Sequence, residues 1–176
     1  KVAAREGRLL INDRVMKLED PLPAGTILTF VVPNTVEPKI NPNITINYED
    51  NDLLVFNKPA PMPVHPCGRF NRNSLLYFTQ TIWPELRLRP AHRLDASTTG
   101  LVIMTKNRQA ARNVQSQFAD QLVNKSYLVK VRGIPHRTAF RVDTPITKEP
   151  SERGKRMVST TGYPACTNFR VLKVLP

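Results

Sequence analysis

Sixteen prolines punctuate this chain, and they decide where regular structure can form. Proline lacks a backbone N–H and fixes φ, so it is excluded from helix interiors and central strands. The run Lys58-Pro59-Ala60-Pro61-Met62-Pro63 must therefore be a loop, and Val64-His65-Pro66 extends it. The stretch from Pro33 to Pro42 holds three prolines and two asparagines and reads as a linker between two structured parts.

Before that linker, Arg8-Leu9-Leu10-Ile11 reads as a short strand, with a turn at Asn12-Asp13-Arg14 and a return at Val15-Met16. Thr26 to Val32 reads as another strand, giving a β piece too small to fold well alone. After the linker, strands are expected at 44–48 and 52–57, and a helix over 74–83 with Ser74 as N-cap. Leu101 to Thr105 is an apolar run of strand length. Residues 107–118 place Ala111, Val114 and Phe118 on one helical face and Arg108, Arg112 and Gln115 on another. Lys125 to Val131 alternates with period two, Tyr127, Val129 and Val131 pointing one way, and reads as a strand ending at Gly133. Further strands are expected at 140–146 and 165–174, with a charged loop at 152–156 between them. The pattern predicts an α+β domain with a mainly antiparallel sheet and few flanking helices, preceded by a small β-rich piece. The expected division is 1–33, a linker over 34–43, and a catalytic part over 44–176.

At 176 residues the chain is long enough for one cored domain, or one domain and a small appendage. Its longest apolar runs, such as Leu53-Leu54-Val55-Phe56, are far too short to cross a bilayer. Two cysteines make no disulfide framework and fit free thiols in a reducing compartment. No basic segment followed by an apolar stretch opens the chain, so no signal peptide is expected. The charge is uneven. Residues 1–60 hold 7 Lys/Arg and 8 Asp/Glu, whereas residues 61–176 hold 19 and 6. A net +13 on the second part favours a polyanionic partner, RNA or DNA, over a merely solvated surface. The basic groups are mostly arginines scattered over many elements, which ranks an anionic membrane last.

Chemistry concentrates in Pro90 to Lys106. Asp95 is one of six acids in the basic part, with Arg87, Arg89, His92 and Arg93 within eight residues of it. Nearby cations favour an ionised carboxylate. Such an Asp serves as a nucleophile, a general base or an arginine's partner. The structural alternative is an Asx-turn to Ser97 or Thr98, the commoner fate of an Asp in a turn.

His92-Arg93-Leu94-Asp95, followed after two residues by Thr98-Thr99-Gly100-Leu101, resembles the H-R-L-D-x-x-T-S-G-L signature of the RluA-type pseudouridine synthases, with Thr99 in place of the usual Ser. Asn57-Lys58-Pro59 with Pro63-Val64-His65-Pro66 and Gly68 resembles the family's N-K-P…V-H-P segment. Lys125-Ser126-Tyr127 with Val131 and Gly133, and Ala165-Cys166-Thr167 with Phe169 and Val171, resemble two of its strands in order and spacing. Gly7 to Asn12, Val15, Leu22 and Gly25 to Phe30 resemble half of an S-four-type RNA-binding domain.

The resemblance implies an enzyme that isomerises uridine within ribosomal or transfer RNA to pseudouridine, without cofactor or metal. Asp95 matches the essential aspartate, which attacks ribose C1′ or assists departure of the base. Arg93 matches the residue that helps displace the base and fills its gap; a phosphate contact or a salt bridge to Asp95 weighs equally. Tyr127 matches the tyrosine that stacks on the target uracil, against a plain core role beside Val129 and Val131. His92, Lys106, Arg108, Arg112, Lys125, Arg153, Lys155 and Arg156 are expected on the RNA side, the Lys/Arg groups as phosphate contacts. A structural hydrogen-bonding role suits His92 better than proton shuttling, and His65 is expected to fix its loop. RNA is the expected partner, without DNA or membrane, for a cytoplasmic monomer. The family's later arginine motif, whose arginine pairs with the aspartate, does not occur before Pro176. The sequence is thus expected to be clipped at both ends and inactive as it stands. Two other readings are a non-catalytic RNA-binding protein such as a ribosome assembly factor, and a nucleoside- or glycoside-hydrolysing enzyme. The intact HRLD string argues against the first, and the scarcity of a second carboxylate against the other.

Overall fold

A computed structural model describes residues 2–32, 35–151 and 155–175, with the side chain of Val2 excepted. The chain forms two compact units, Lys1–Asn124 and Lys125–Pro176.

The first unit opens with a short helix α1 (Val2–Arg5) and strands β1 (Leu9–Ile11), β2 (Arg14–Val15) and β3 (Leu28–Phe30), an antiparallel sheet in the order β2-β1-β3. Ile11 pairs with Arg14, so Asn12 and Asp13 form a two-residue hairpin loop. Both have positive φ, 48° and 64°, as a type I′ turn demands and as Asn and Asp tolerate best after Gly.

Its main sheet comprises β4 (Thr45–Glu49), β5 (Leu53–Lys58), β6 (Arg89–Pro90) and β7 (Gly100–Thr105) in the order β4-β5-β7-β6, every pair antiparallel. Helix α2 (Leu75–Ile82) follows the proline-rich loop, and α3 (Arg108–Ala119) follows β7. Period two sets the buried face of β5: Leu54, Phe56 and Lys58 are buried. They meet Val102 and Met104 of β7, Leu75 of α2, Leu88, and Met62 and Val64 of the loop in one core. Ser74 caps α2 by accepting from Tyr77 N, and Asn107 caps α3 by accepting from Ala110 N at 2.8 Å. The carbonyls of Pro63 and Val64 take the N–H groups of Leu75 and Leu76, each at 2.9 Å. The proline-rich loop thus satisfies donors that the first helical turn leaves open.

Residues 35–44 lie in this first unit. The Glu37 carboxylate accepts from the backbone N–H groups of Asn71, Arg72 and Asn73 at 2.8–2.9 Å. Asn73 donates to Pro38 O, Asn41 N donates to Pro61 O, and Ile40 and Ile44 pack on the core.

The second unit contains the hairpin β8 (Ala139–Asp143) and β9 (Cys166–Arg170), with Phe140 stacked on Phe169 at 4.9 Å. Isolated bridges join Ile146 to Val158 and Tyr163. These strands are shorter than the expected 140–146 and 165–174. The strand expected at 125–131 is corrected: the segment makes no ladder among the described residues, and Tyr127, Val129 and Val131 are exposed. Alternation marks a segment suited to a half-buried sheet, but a strand exists only with a partner. β6 went unread because two residues, one a proline, leave no periodicity. The architecture is α+β with antiparallel sheets and few helices, as expected.

Candidate active site

Asp95 sits in the turn between β6 and β7. The turn closes through the backbone, Thr98 N donating to Asp95 O at 3.0 Å. This replaces the Asx-turn alternative: the Asp95 carboxylate makes no hydrogen bond among the described residues. Its partner is the Arg93 guanidinium, with Nη2 4.0 Å from Oδ1 and side-chain exposures of 72% for Arg93 and 78% for Asp95. An ion pair this long and this wet contributes little to stability. The carboxylate therefore remains available to a ligand.

The turn is anchored from behind. Met62 N donates to Ala96 O at 2.8 Å, tying the proline-rich loop to the residue after Asp95. On the β7 side Gly100, with φ of +127°, begins the strand in a conformation that side-chain-bearing residues avoid. Loop and turn enclose a cleft of about 100 Å³ lined by Pro63, Val64, His65, Cys67, Arg93, Leu94, Asp95 and Ala96. A wider groove of about 510 Å³ along α2 and β6 shares none of these residues and offers Arg87, Arg89 and Gln80 but no nucleophile. The smaller cleft is the one that holds Asp95.

Lys58 is the residue that sequence reasoning left without a role. It is fully buried at the end of β5, and its Nζ donates to Met62 O at 2.7 Å and Pro59 O at 3.0 Å. Burial lowers its pKa below the ordinary lysine value, and the charge of Asp95 raises it partway back. From the sequence Lys58 is expected in the loop, whereas it ends β5 and continues the inward phase of Leu54 and Phe56.

The other expected site residues are dispersed. His92 accepts from Ile103 N at 3.2 Å through Nε2 and stacks on Phe118 at 4.5 Å, so it is built into the fold. The ring of His65 contacts Pro66 O at 3.1 Å through Nδ1 within its own loop. Lys106 is spent on Glu49 and on Asp50 O, both at 2.6 Å, and its side chain is 15% exposed. Arg108 and Arg112 are exposed one turn apart on α3. Tyr127, Lys125, Lys155 and Arg156 belong to the second unit and are exposed. Arg156 donates to the carbonyls of Thr147 and Lys148. Arg153 lies outside the described residues. No group of three or more His, Cys, Asp or Glu side chains that could hold a metal occurs among the described residues. No helix among them is long and apolar enough to cross a membrane.

The family model of RNA pseudouridylate synthases matches residues 52–175. An uncharacterized RNA pseudouridine synthase of Aquifex aeolicus is 34% identical over 98% of this chain and 58% of its own length. Ribosomal large subunit pseudouridine synthase C of Vibrio vulnificus is 31% identical over the same shares. Human pseudouridylate synthase RPUSD2 is 30% identical over 98% of this chain and 32% of its own length. The solved structure of human RNA pseudouridylate synthase domain containing 1 superposes with a TM-score of 0.59 at 24% identity, over 76% of this chain and 54% of that one, which speaks to the fold. This chain belongs to the RNA pseudouridylate synthase family, in its RluA-type branch. It spans 32% to 58% of the length of these curated relatives.

Proposed function

We propose that the protein is an RNA pseudouridine synthase in which Asp95 is the reacting carboxylate. The observation that carries this reading is an exposed carboxylate that makes no hydrogen bond among the described residues, set in a cleft beside the proline-rich loop and flanked by Arg93. The target uridine of a ribosomal or transfer RNA is flipped into that cleft, since a stacked base is out of reach. Asp95 attacks ribose C1′, or stabilises the positive charge there, as the N1–C1′ bond breaks. The uracil turns, C5 bonds to C1′ as any Asp95–C1′ ester bond breaks and the carboxylate is released, the C5 proton is lost and N1 is protonated, so atoms balance without a cofactor. Arg93 helps displace the base and occupies the gap it leaves, and Tyr127 stacks on the target uracil. Arg108 and Arg112 meet phosphates, together with Lys125, Lys155 and the strongly basic second part of the chain. Residues 1–33 form part of an S-four-type RNA-binding piece, which the β2-β1-β3 sheet supports. The protein acts as a cytoplasmic monomer, and the two free cysteines suit that compartment.

Transcripts carrying tritium at uridine C5 test the reaction with the full-length protein. The reading predicts tritium release into water with the base retained in RNA, and none from Asp95→Asn. Free uracil would instead mark a hydrolase, and RNA binding without tritium release a non-catalytic binder.

A further inference from the structure

We propose that the groove along α2 and β6 is a second RNA-binding site, in which Arg87 and Arg89 hold phosphates of a single-stranded stretch several nucleotides from the uridine at Asp95. The inference rests on the reading of RNA as the substrate and adds a place for its flanking strand.

The groove follows from the alternation of residues 86–89. Leu88 belongs to the buried core and Leu86 packs against it, so Arg87 and Arg89 turn to solvent. The groove encloses about 510 Å³, within the range of ligand clefts, and Leu76, Leu86, Leu88 and Pro90 make much of its lining apolar. Gln80 of α2 adds an amide that both donates and accepts. Arg87 and Arg89 are exposed, and neither side chain makes an ion pair or a hydrogen bond among the described residues. Two uncommitted guanidinium groups beside an apolar lining suit a polyanion, whose phosphates take their N–H groups and whose bases stack on their planes. A carboxylate in the groove would oppose such a ligand. Glu85, the one acid between residues 76 and 90, does not line it.

Position separates this groove from the Asp95 cleft and joins it to α3. Arg89 pairs with Thr105, at the end of β7 opposite Gly100. Ala91 N donates to Ile103 O, so the chain after β6 runs beside β7 toward the Asp95 turn. The chain from Arg89 to Asp95 spans at most about 20 Å, roughly six nucleotides at the rise of one stacked strand. Gln115 Nε2 donates to Pro90 O at 3.4 Å, which seats one face of α3 against a wall of the groove. Arg112 and Arg108 lie one and two turns before Gln115 on that face. All these residues belong to the first unit. The strand that leaves the groove therefore meets the α3 arginines next.

Two measurements on the full-length protein test the site. The probe in both is an oligouridylate of about 20 nucleotides, long enough to reach the groove and the cleft together. The first is the salt dependence of binding, read by fluorescence anisotropy. The double variant Arg87→Ala/Arg89→Ala is expected to reduce the slope of log K against log salt by about 1.4, two single-strand phosphates at about 0.7 each. Arg87→Lys/Arg89→Lys is expected to keep the native slope, because lysine also binds phosphate as a point charge. A native slope in an alanine variant that keeps its circular dichroism overturns the proposal. So does a lysine variant that folds but shows the alanine slope. The second measurement places 4-thiouridine along the probe and maps photo-crosslinks by mass spectrometry. Crosslinks within residues 76–90 are expected; crosslinks confined to other segments overturn the site in favour of a protein ligand for the groove. If the alanine variant does not fold, the crosslinks alone decide. A native protein that binds the probe but releases no tritium from C5-labelled transcripts would reject the reading of Asp95 instead, and both measurements would still decide the groove.

Discussion

The N–H of Met62 and the carbonyl of Ala96 share a hydrogen bond of 2.8 Å, and this joins the proline-rich loop to the turn that presents Asp95. The prolines make the loop stiff, the Pro63 and Val64 carbonyls dock it on α2, and Lys58 seals it from below. An exposed carboxylate is thereby held on a fixed support, the arrangement that the proposed reaction at Asp95 calls for.

The clasp at Glu37 gives a stability prediction. Burial raises its pKa, but the N–H groups of Arg72, Asn71 and Asn73, with the Arg72 charge, outweigh burial and hold it below the ordinary glutamate value. A depressed folded pKa means stability present above the unfolded pKa and lost as pH falls through the folded one. Glu37→Ala is expected to lower unfolding free energy by about 1–2 kcal/mol at neutral pH. Glu37→Gln, which keeps one acceptor oxygen, should lose less. The differences should shrink in acid as the native carboxylate protonates, which urea melts at pH 7 and below pH 4.5 would measure.

The basic residues around α3 divide into two kinds. Arg108→Ala and Arg112→Ala should each weaken RNA binding and reduce the slope of log K against log salt by about 1. Lys106→Ala should leave that slope unchanged and instead destabilise the fold, because its ammonium already serves Glu49 and Asp50. Filter binding over a salt series separates the two. A Lys106 variant with a reduced slope and native stability would refute the division.

Gly100 supplies a backbone prediction. A Cβ there would lie 3.9 Å from Leu94 Cδ1, an ordinary contact, so space is not the obstacle. The φ of +127° is. Gly100→Ala is expected to destabilise the protein by more than about 1 kcal/mol. It should also lower catalytic rate, since the same residue leaves the Asp95 turn. Thermal melts and single-turnover rates on one preparation would show both effects, and a native-like Gly100→Ala would contradict them.

What the sequence made legible was local. The Ser74 cap, the Asn12-Asp13 turn and the apolar run that forms β7 each follow from residue type at short range. The Asp95 motif was equally plain, because its residues are contiguous. What it concealed depends on partners distant in sequence. Glu49 meets Lys106 across 57 positions, and Glu37 meets Asn71 across 34. Composition could count these charges but not pair them. The same limit explains residues 125–131, whose alternation is that of a strand although no ladder forms among the described residues. Lys58 is a further case: the sequence put it in the loop, and its place at the end of β5, donating to the Pro59 and Met62 carbonyls, depends on a loop path that only the fold defines.

The central claim is that Asp95 performs chemistry on uridine in RNA. Transcriptome-wide pseudouridine mapping in cells whose full-length gene carries Asp95→Ala, against the native gene at equal protein level, tests it most directly. The account predicts loss of one or a few discrete sites, in ribosomal or transfer RNA, with the rest of the map intact. An unchanged map, in cells where no related enzyme modifies the same sites, would contradict it.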